Sequence, residues 1–307
     1  MSSRTALVRA AKRGLKTVRG YPPMNVALTT PLRGIVRRVG HDAPVLARYL
    51  PRVGIIDASL PNGHVMRMWS RGDDDVTSAV YWGGWAGHEK ETAGLFWELA
   101  RTARVVLDIG AHVGYFSLLA GLANPSAKVH SFEPLPLVHE RLRYNVSLNN
   151  LENVGCHELA VGDRPGRERF YHLPNCIPSS SSLSRTFMEP IVGDRNLVAS
   201  EVEVISVDEF VAGHGLTGVD LVKLDTEGTE DSVIAGMVRT ITEHRPTFFC
   251  EVLPGGPAGA IEDILASFDY RFYLLSDAGA QPCAHIEPHH KWRNHLFRPA
   301  DGQLTRS

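Results

Sequence analysis

The stretch Val105-Val106-Leu107-Asp108-Ile109-Gly110-Ala111-His112-Val113-Gly114-Tyr115-Phe116 constrains the fold of this chain more than any other. Three apolar, strand-favouring residues lead into an acid. Two glycines follow in the spacing D-x-G-x-x-x-G, and a helical apolar pattern (Phe116, Leu118, Leu119, Leu122) starts at once. A strand that ends at a glycine-rich turn and a helix N-terminus is a nucleotide-type binding site. The glycines let the backbone take positive φ and approach a ligand closely. A dinucleotide fingerprint would read G-x-G-x-x-G and set a pyrophosphate on the helix. Here that pattern is absent, and Asp108 is a poor neighbour for a pyrophosphate but a good one for a cationic ligand.

S-adenosylmethionine, with its sulfonium and ammonium, fits that charge logic. From residue 104 onward strands and helices alternate, which predicts an α/β domain with a largely parallel sheet. The periodicities place strands at 105–109, 128–132, 154–161, 202–206, 219–225, 246–252, 270–275 and 292–298, and a hairpin-like piece at 166–172. Helices are expected at 114–123, 136–149, 207–212, 229–238 and 258–268. The serine-rich loop Pro178 to Ser184 breaks the alternation.

The first part of the chain reads differently. A helical period runs over residues 4–18, with Tyr21-Pro22-Pro23 as its stop. A short helix is expected around 42–50. Strands are expected at Val53–Ile56, His64–Trp69 and Val76–Trp82, with Asp73-Asp74-Asp75 as a turn, and then a helix over 89–101. Trp82 and Trp85 offer flat apolar faces that suit a sugar ring or a polyketide; the alternative is that they are core residues of the appendage. The expected division is a basic N-terminal appendage, 1–80, and a catalytic domain, 81–307.

Charge supports that division. Residues 1 to 52 hold eleven Lys/Arg and one acid, a net +10, whereas the whole chain is −2 and the remainder therefore −12. A basic arm of this kind suits an anionic surface such as a membrane leaflet; the alternative is an arm that docks on its own acidic body. No apolar run reaches the roughly 18 residues of a membrane span. The four cysteines are far apart and form no C-x-x-C pair, which argues against a disulfide scaffold or a zinc site and suits a reducing cytoplasm. The expected location is cytoplasmic, with peripheral contact at the inner face of the membrane. His285, His289, His290 and His295 match no standard zinc spacing.

Further candidate residues lie at the other strand ends. Glu133, in Phe132-Glu133-Pro134, lies 23 residues beyond Gly110, where an acid accepts hydrogen bonds from ribose hydroxyls. Ala160 and Val161, at the end of the third strand, are placed to pack an adenine ring. Lys223, Asp225, Glu227 and Glu230 crowd one strand end, as either an acid–base group or a stiffening ion-pair network. Glu251 adds a carboxylate at the next strand end, and with Asp225 makes a weak divalent-metal signal.

These residues resemble class I S-adenosylmethionine-dependent methyltransferases, and within them the FkbM family. The matching pieces are Gly87-His88-Glu89-Lys90-Glu91, Leu107 to Gly114, Phe132-Glu133-Pro134, Asn145 with Asn149, Val219 to Glu230, Gly236, Pro246, Glu251 and Asn294-His295-Leu296-Phe297. The K-x-D-x-E-G-x-E run from Lys223 to Glu230 is the specific part. The family more often has asparagine at His112 and tyrosine at His88. The resemblance covers roughly residues 80 to 300.

It implies a Rossmann-like fold with a seven-stranded, mostly parallel sheet whose last strand is antiparallel. It implies S-adenosylmethionine as cofactor and O-methylation of a sugar, lipid-linked glycan or polyketide hydroxyl, with no nucleic-acid partner. Cofactor contacts would come from Glu89, Asp108, Gly110, Ala111, Gly114, Glu133, Pro134, Ala160 and Asp225, and acid–base chemistry from Lys223, Asp225 and Glu227. Two other classes compete: a non-catalytic adenosine-cofactor-binding protein and a nicotinamide-dependent oxidoreductase.

Overall fold

The computed structural model describes residues 21–39, 50–174, 177, 181–192 and 197–300. The expected helix at 4–18 lies outside these residues, as does the one around 42–50 apart from Leu50. The chain divides into two compact units, Met1–Lys90 and Glu91–Ser307.

In the first unit, α1 (Pro22–Val39) precedes a hairpin of β1 (Gly54–Ser59) and β2 (Val65–Ser70), followed by α2 (Asp75–Gly83). Helix α1 was not expected. Pro22 and Pro23, taken as a stop, sit in the first turn of a helix, where a missing N–H costs nothing. The hairpin alternates strictly, so Ile56, Ala58, Met66 and Met68 form its buried face.

The segment Val76–Trp82 is helical rather than extended. Asp74 caps it, accepting from the backbone N–H of Thr77 at 2.7 Å and from the Thr77 hydroxyl at 2.7 Å. The expected aspartate turn is thus a helix start, and the cap outweighs the β-propensity of valine and aromatic residues. Trp82 is buried, with its indole N–H donating to the Leu50 carbonyl at 3.1 Å. It is a core residue of this unit, which corrects its expected pocket role.

The second unit opens with α3 (Lys90–Ala100) and is built on an eight-stranded sheet. Its first strands and helices are β3 (Val105–Ile109), α4 (Tyr115–Ala123), β4 (Lys128–Phe132), α5 (Pro136–Leu148) and β5 (Val154–His157). A four-stranded sheet comes next in the chain, from β6 (Ala160–Val161), β7 (Gly166–His172), β8 (Ser181–Ser182) and β9 (Val198–Ile205), with α6 (Arg185–Val192) inserted. The main sheet resumes with α7 (Val207–Gly213), β10 (Leu221–Leu224), α8 (Glu230–Ala235), α9 (Val238–His244), β11 (Thr247–Glu251) and α10 (Ala258–Leu265). It closes with β12 (Tyr270–Ser276), β13 (Gly279–Cys283) and β14 (Asn294–Pro299).

The strand order is β13-β12-β14-β11-β10-β3-β4-β5, with β3, β4, β5, β10 and β11 parallel. The last strand, β14, inserts antiparallel between β11 and β12. Seven of these strands are the expected sheet, and β13 adds an eighth at the edge. The central strands β3 and β10 are buried along their length and mostly apolar, with Asp108 and Lys223 as the exceptions. On one face Leu107, Ile109, Val222, Leu224, Phe248 and Phe297 pack with Phe210, Val233, Ile241 and Ile261. On the other, Phe96 of α3 meets Phe116 and Phe249 edge-on.

Two expected elements are broken for visible reasons. The strand 154–161 divides because β6 pairs with β9 in the smaller sheet. The helix 229–238 divides at Gly236, where a Cβ would stand 2.1 Å from the Gly162 carbonyl oxygen.

Candidate active site

The strand order reverses between β3 and β10, and in open α/β sheets ligands bind beyond the carboxyl ends of strands at such a switch point. The carboxyl ends of β3, β4, β10 and β11 carry Gly110, Glu133, Asp225 and Glu251. The structure therefore brings together the candidates of four separate sequence segments.

The turn after β3 runs through Gly110 (φ 80°), His112 (φ 50°) and Gly114 (φ 92°) into α4. The N–H groups of Gly110 and Ala111 both donate to the Phe132 carbonyl, at 3.1 and 2.9 Å, which ties the turn to β4. A Cβ on Gly110 would lie 1.8 Å from the Asp225 carbonyl oxygen, and one on Gly114 2.5 Å from Leu142 Cδ1. Both glycines thus allow close approach of the protein to itself. Gly110 brings the end of β10 against the turn.

Glu133 is enclosed at 4% exposure. One carboxylate oxygen accepts from the Leu135 N–H at 2.9 Å and the other from the His112 N–H at 3.2 Å. Burial pushes its pKa up to about 7 in spite of these donors. Each oxygen keeps a second lone pair, so the group can still accept from a pair of neighbouring hydroxyls. That donor set fits a ribose. Pro134 leads from Glu133 into Leu135, the residue that caps α5, and Pro136 occupies its first turn.

Asp108 is turned inward. It accepts from the Ser117 hydroxyl, which in turn accepts from Ser131 at 2.7 Å, and burial raises its pKa to about 6. Its anchoring is to helix α4, a role that its position in the motif did not announce. Ala160 is buried in the smaller sheet beside Val204, away from β5. Glu89 belongs to the first unit, at φ 43°, with His88 Nε2 3.5 Å from its carboxylate.

Lys223 is 1% exposed, yet it ends in an amino group with polar partners. Its Nζ lies 3.2 Å from Asp225 Oδ2 and 3.4 Å from Asn294 Oδ1, and 4.9 Å above the Phe116 ring. Alternation along β10 places Lys223 and Asp225 on one side of the strand, as expected. Carboxylate oxygens of Asp225, Glu227 and Glu251 all lie within 4.8 Å of one another. Among the described residues these three are the set able to share a divalent cation through oxygen ligands. The Lys223 ammonium already offsets part of their charge.

Glu230 plays a different part. It is 1% exposed, and one of its oxygens accepts from the N–H groups of Thr226 and Gly228 and from the Thr226 hydroxyl. It therefore shapes the 226–229 loop that presents Glu227, itself at φ 55°. Burial raises Glu230 to about 7. Sequence reasoning missed Asn294 as a partner of Lys223. The register Glu251↔Asn294 explains the meeting, and no local pattern reveals it, because the two residues lie 71 positions apart. Of the histidines near the C-terminus, His285 pairs with Glu262 at 2.6 Å and His295 is wholly buried.

Fold, turn and acidic strand ends define the class: a Rossmann-like α/β domain with its candidate site at the switch point. A family model described as the methyltransferase FkbM domain matches residues 108–272. The chain belongs to the FkbM methyltransferase family. It is 31% identical over 178 residues to the 2-O-methyltransferase NoeI of Sinorhizobium fredii, a match covering 54% of this chain and 72% of that protein. It is 28% identical over 158 residues to the 31-O-demethyl-FK506 methyltransferase FkbM of Streptomyces tacrolimicus, covering 45% of this chain and 60% of that relative. A crystal structure of methyltransferase FkbM from Methylobacillus flagellatus is similar with a TM-score of 0.42 at 17% identity, over 73% of this chain and 54% of that one.

Proposed function

We propose that this protein transfers a methyl group from S-adenosylmethionine to a hydroxyl of a small acceptor, a sugar, lipid-linked glycan or polyketide. The observation that carries the reading is the pairing of buried Lys223 with half-buried Asp225, beside Glu227 and Glu251, at the strand ends next to Glu133 and the glycine turn. The names 2-O-methyltransferase NoeI and 31-O-demethyl-FK506 methyltransferase FkbM support an oxygen acceptor.

When bound, the cofactor supplies a methyl carbon already activated by its sulfonium. Glu133 would hold the ribose, Asp108, Gly110, Ala111 and Gly114 would form the wall around the methionine part, and Ala160 would pack the adenine. Pro134 fixes the approach of Glu133. Asp225 completes the set proposed for cofactor contact within this unit. The protein's contribution is mainly orientation, which accounts for about 7–11 kcal/mol of barrier in well-aligned reactions.

The acceptor hydroxyl must lose its proton as its oxygen attacks. Asp225 would take it, Lys223, 3.2 Å away, would orient Asp225, and Glu227 and Glu251 would anchor neighbouring hydroxyls. A positioned base of this kind contributes roughly 10²–10⁴-fold. The basic first 52 residues give this reading an anionic membrane surface as a further partner.

The test is transfer of labelled methyl from S-adenosylmethionine to a panel of glycosides and polyketides. Label in an acceptor oxygen, reduced at least about 10²-fold in Asp225→Asn, is the expected result. Label in no acceptor of any class, with the cofactor bound, would favour the non-catalytic alternative.

A further inference from the structure

Helix α1 is amphipathic in the reverse sense. The side that meets its own unit is polar. Asn25 is wholly buried, donates to the Pro51 carbonyl at 2.9 Å and accepts from the Val53 N–H at 2.9 Å. Thr29, one turn on, is also wholly buried and its hydroxyl accepts from Arg52 at 2.8 Å. Arg33, another turn on, lies over the Tyr81 ring at 4.4 Å and donates to the Asp57 carbonyl at 3.2 Å. Asn25, Thr29 and Arg33 recur every four residues, so hydrogen bonds and a cation–π contact hold this helix in place.

Most apolar residues face outward, Leu32 and Val36 being half-buried. Met24, Leu28, Pro31 and Ile35 recur at i, i+4, i+7 and i+11, which is one stripe of a helix. Met24 is 46% exposed, Leu28 39% and Ile35 57%, and Pro31 is exposed. Tyr21, 57% exposed, extends the stripe by a turn. A helix that buries its polar side and shows its apolar side has a surface made for something else.

The geometry points to an anionic lipid surface as the occupant of this stripe. The helix belongs to a segment of net +10 over residues 1 to 52, and Arg38 is exposed at its C-terminal end. Apolar side chains flanked by many cations are the make-up of a helix that lies in a membrane interface. At 18 residues the helix is about 27 Å long. No helix among the described residues is long and apolar enough to cross a membrane, so the helix lies along the surface. A second copy of the chain is a poorer fit, because it would bring two arms of the same sign together. This inference does not depend on the methyl-transfer reading, and it places the domain where a lipid-linked acceptor would be.

The test is co-sedimentation of the full chain with vesicles of phosphatidylcholine alone and of phosphatidylcholine mixed equally with phosphatidylglycerol. Binding to the mixed vesicles is expected, weakened by salt, and weakened at least about tenfold in Leu28→Ser/Ile35→Ser. Both sites are exposed, so the thermal transition of that variant should match the parent. In Leu28→Trp, the added fluorescence should shift to the blue on mixed vesicles and stay unchanged on neutral ones. Equal binding of parent and Leu28→Ser/Ile35→Ser would overturn the proposal, as would no binding by the parent. Vesicle-independent dimerisation lost in the same variant would also overturn it, assigning the face to a second copy. Calorimetry with S-adenosylmethionine, run on the same samples, reports separately on the methyltransferase reading.

Discussion

A carboxyl group as enclosed as that of Glu133 holds its proton until near neutrality, where it stands at about 7. Its proposed partners are two hydroxyl donors, which favour the ionised form. Cofactor affinity should therefore rise as pH passes from 6 to 8, by up to about one log unit per pH unit below the pKa. Glu133→Gln should flatten that dependence and bind more weakly throughout. Isothermal titration across this range checks both statements. The Lys223–Asp225 pair makes a second claim at this scale. Asp225→Asn and Lys223→Ala should each lower turnover at saturating cofactor by about 10²–10⁴-fold. Turnover within about twofold of the parent in both would remove them from the chemistry.

Elements are held in register by contacts that no single residue reveals. The end of β10 fits against the glycine turn only because position 110 has no side chain. Gly110→Ala would place a Cβ 1.8 Å from the Asp225 carbonyl oxygen, at a φ of 80° that alanine resists. A loss of about 3 kcal/mol or more is expected in denaturant unfolding. Asp74→Ala removes both hydrogen bonds that start α2 and should cost about 1–2 kcal/mol.

At the other edge of the sheet, His130 and His157 of β4 and β5 meet at 3.2 Å, with His214, the residue after α7, beside them. Burial holds both strand histidines near 4, below their ordinary 6.5. As pH falls from 6.5 to 4 the unfolded chain takes up their protons first, so their contribution to stability is lost across that window. The buried acids Asp108, Glu133 and Glu230 run the other way, since their folded values are raised and their contribution fades as pH climbs toward 7. The difference between parent and His157→Gln isolates the histidine part. The variant should lose less stability on acidification, by on the order of 1–3 kcal/mol in thermal melts at pH 6.5 and 4.

Across the whole molecule, the sequence speaks most clearly where backbone and apolar pattern agree. Strand β3 falls on the residues its apolar run predicts, because a strand buried on both faces is mostly apolar; β4 also falls where expected, although only Val129 and Phe132 in it are apolar. The acids at the ends of β4, β10 and β11 could be read because strand ends follow from the same runs. The first unit was less readable: a single cap at Asp74 turned a valine- and aromatic-bearing segment into a helix, and two prolines opened α1, which no signal had announced. Edge strand β13, polar and short, carries no apolar signal. The Lys223–Asn294 contact depends on β14 inserting beside β11, a pairing that local pattern does not encode. The inward turn of Asp108 depends on Ser117 and Ser131, which look ordinary in the sequence.

The central claim is that the strand ends around Glu133 form an adenosine site for a methyl donor. The most direct measurement is calorimetric titration of the full chain with S-adenosylmethionine and with its demethylated product, on the parent and on Glu133→Ala. Micromolar binding that weakens at least about tenfold in the variant, about 1.4 kcal/mol, is the predicted result. Absence of binding to either compound, or binding that Glu133→Ala leaves unchanged, would contradict the account.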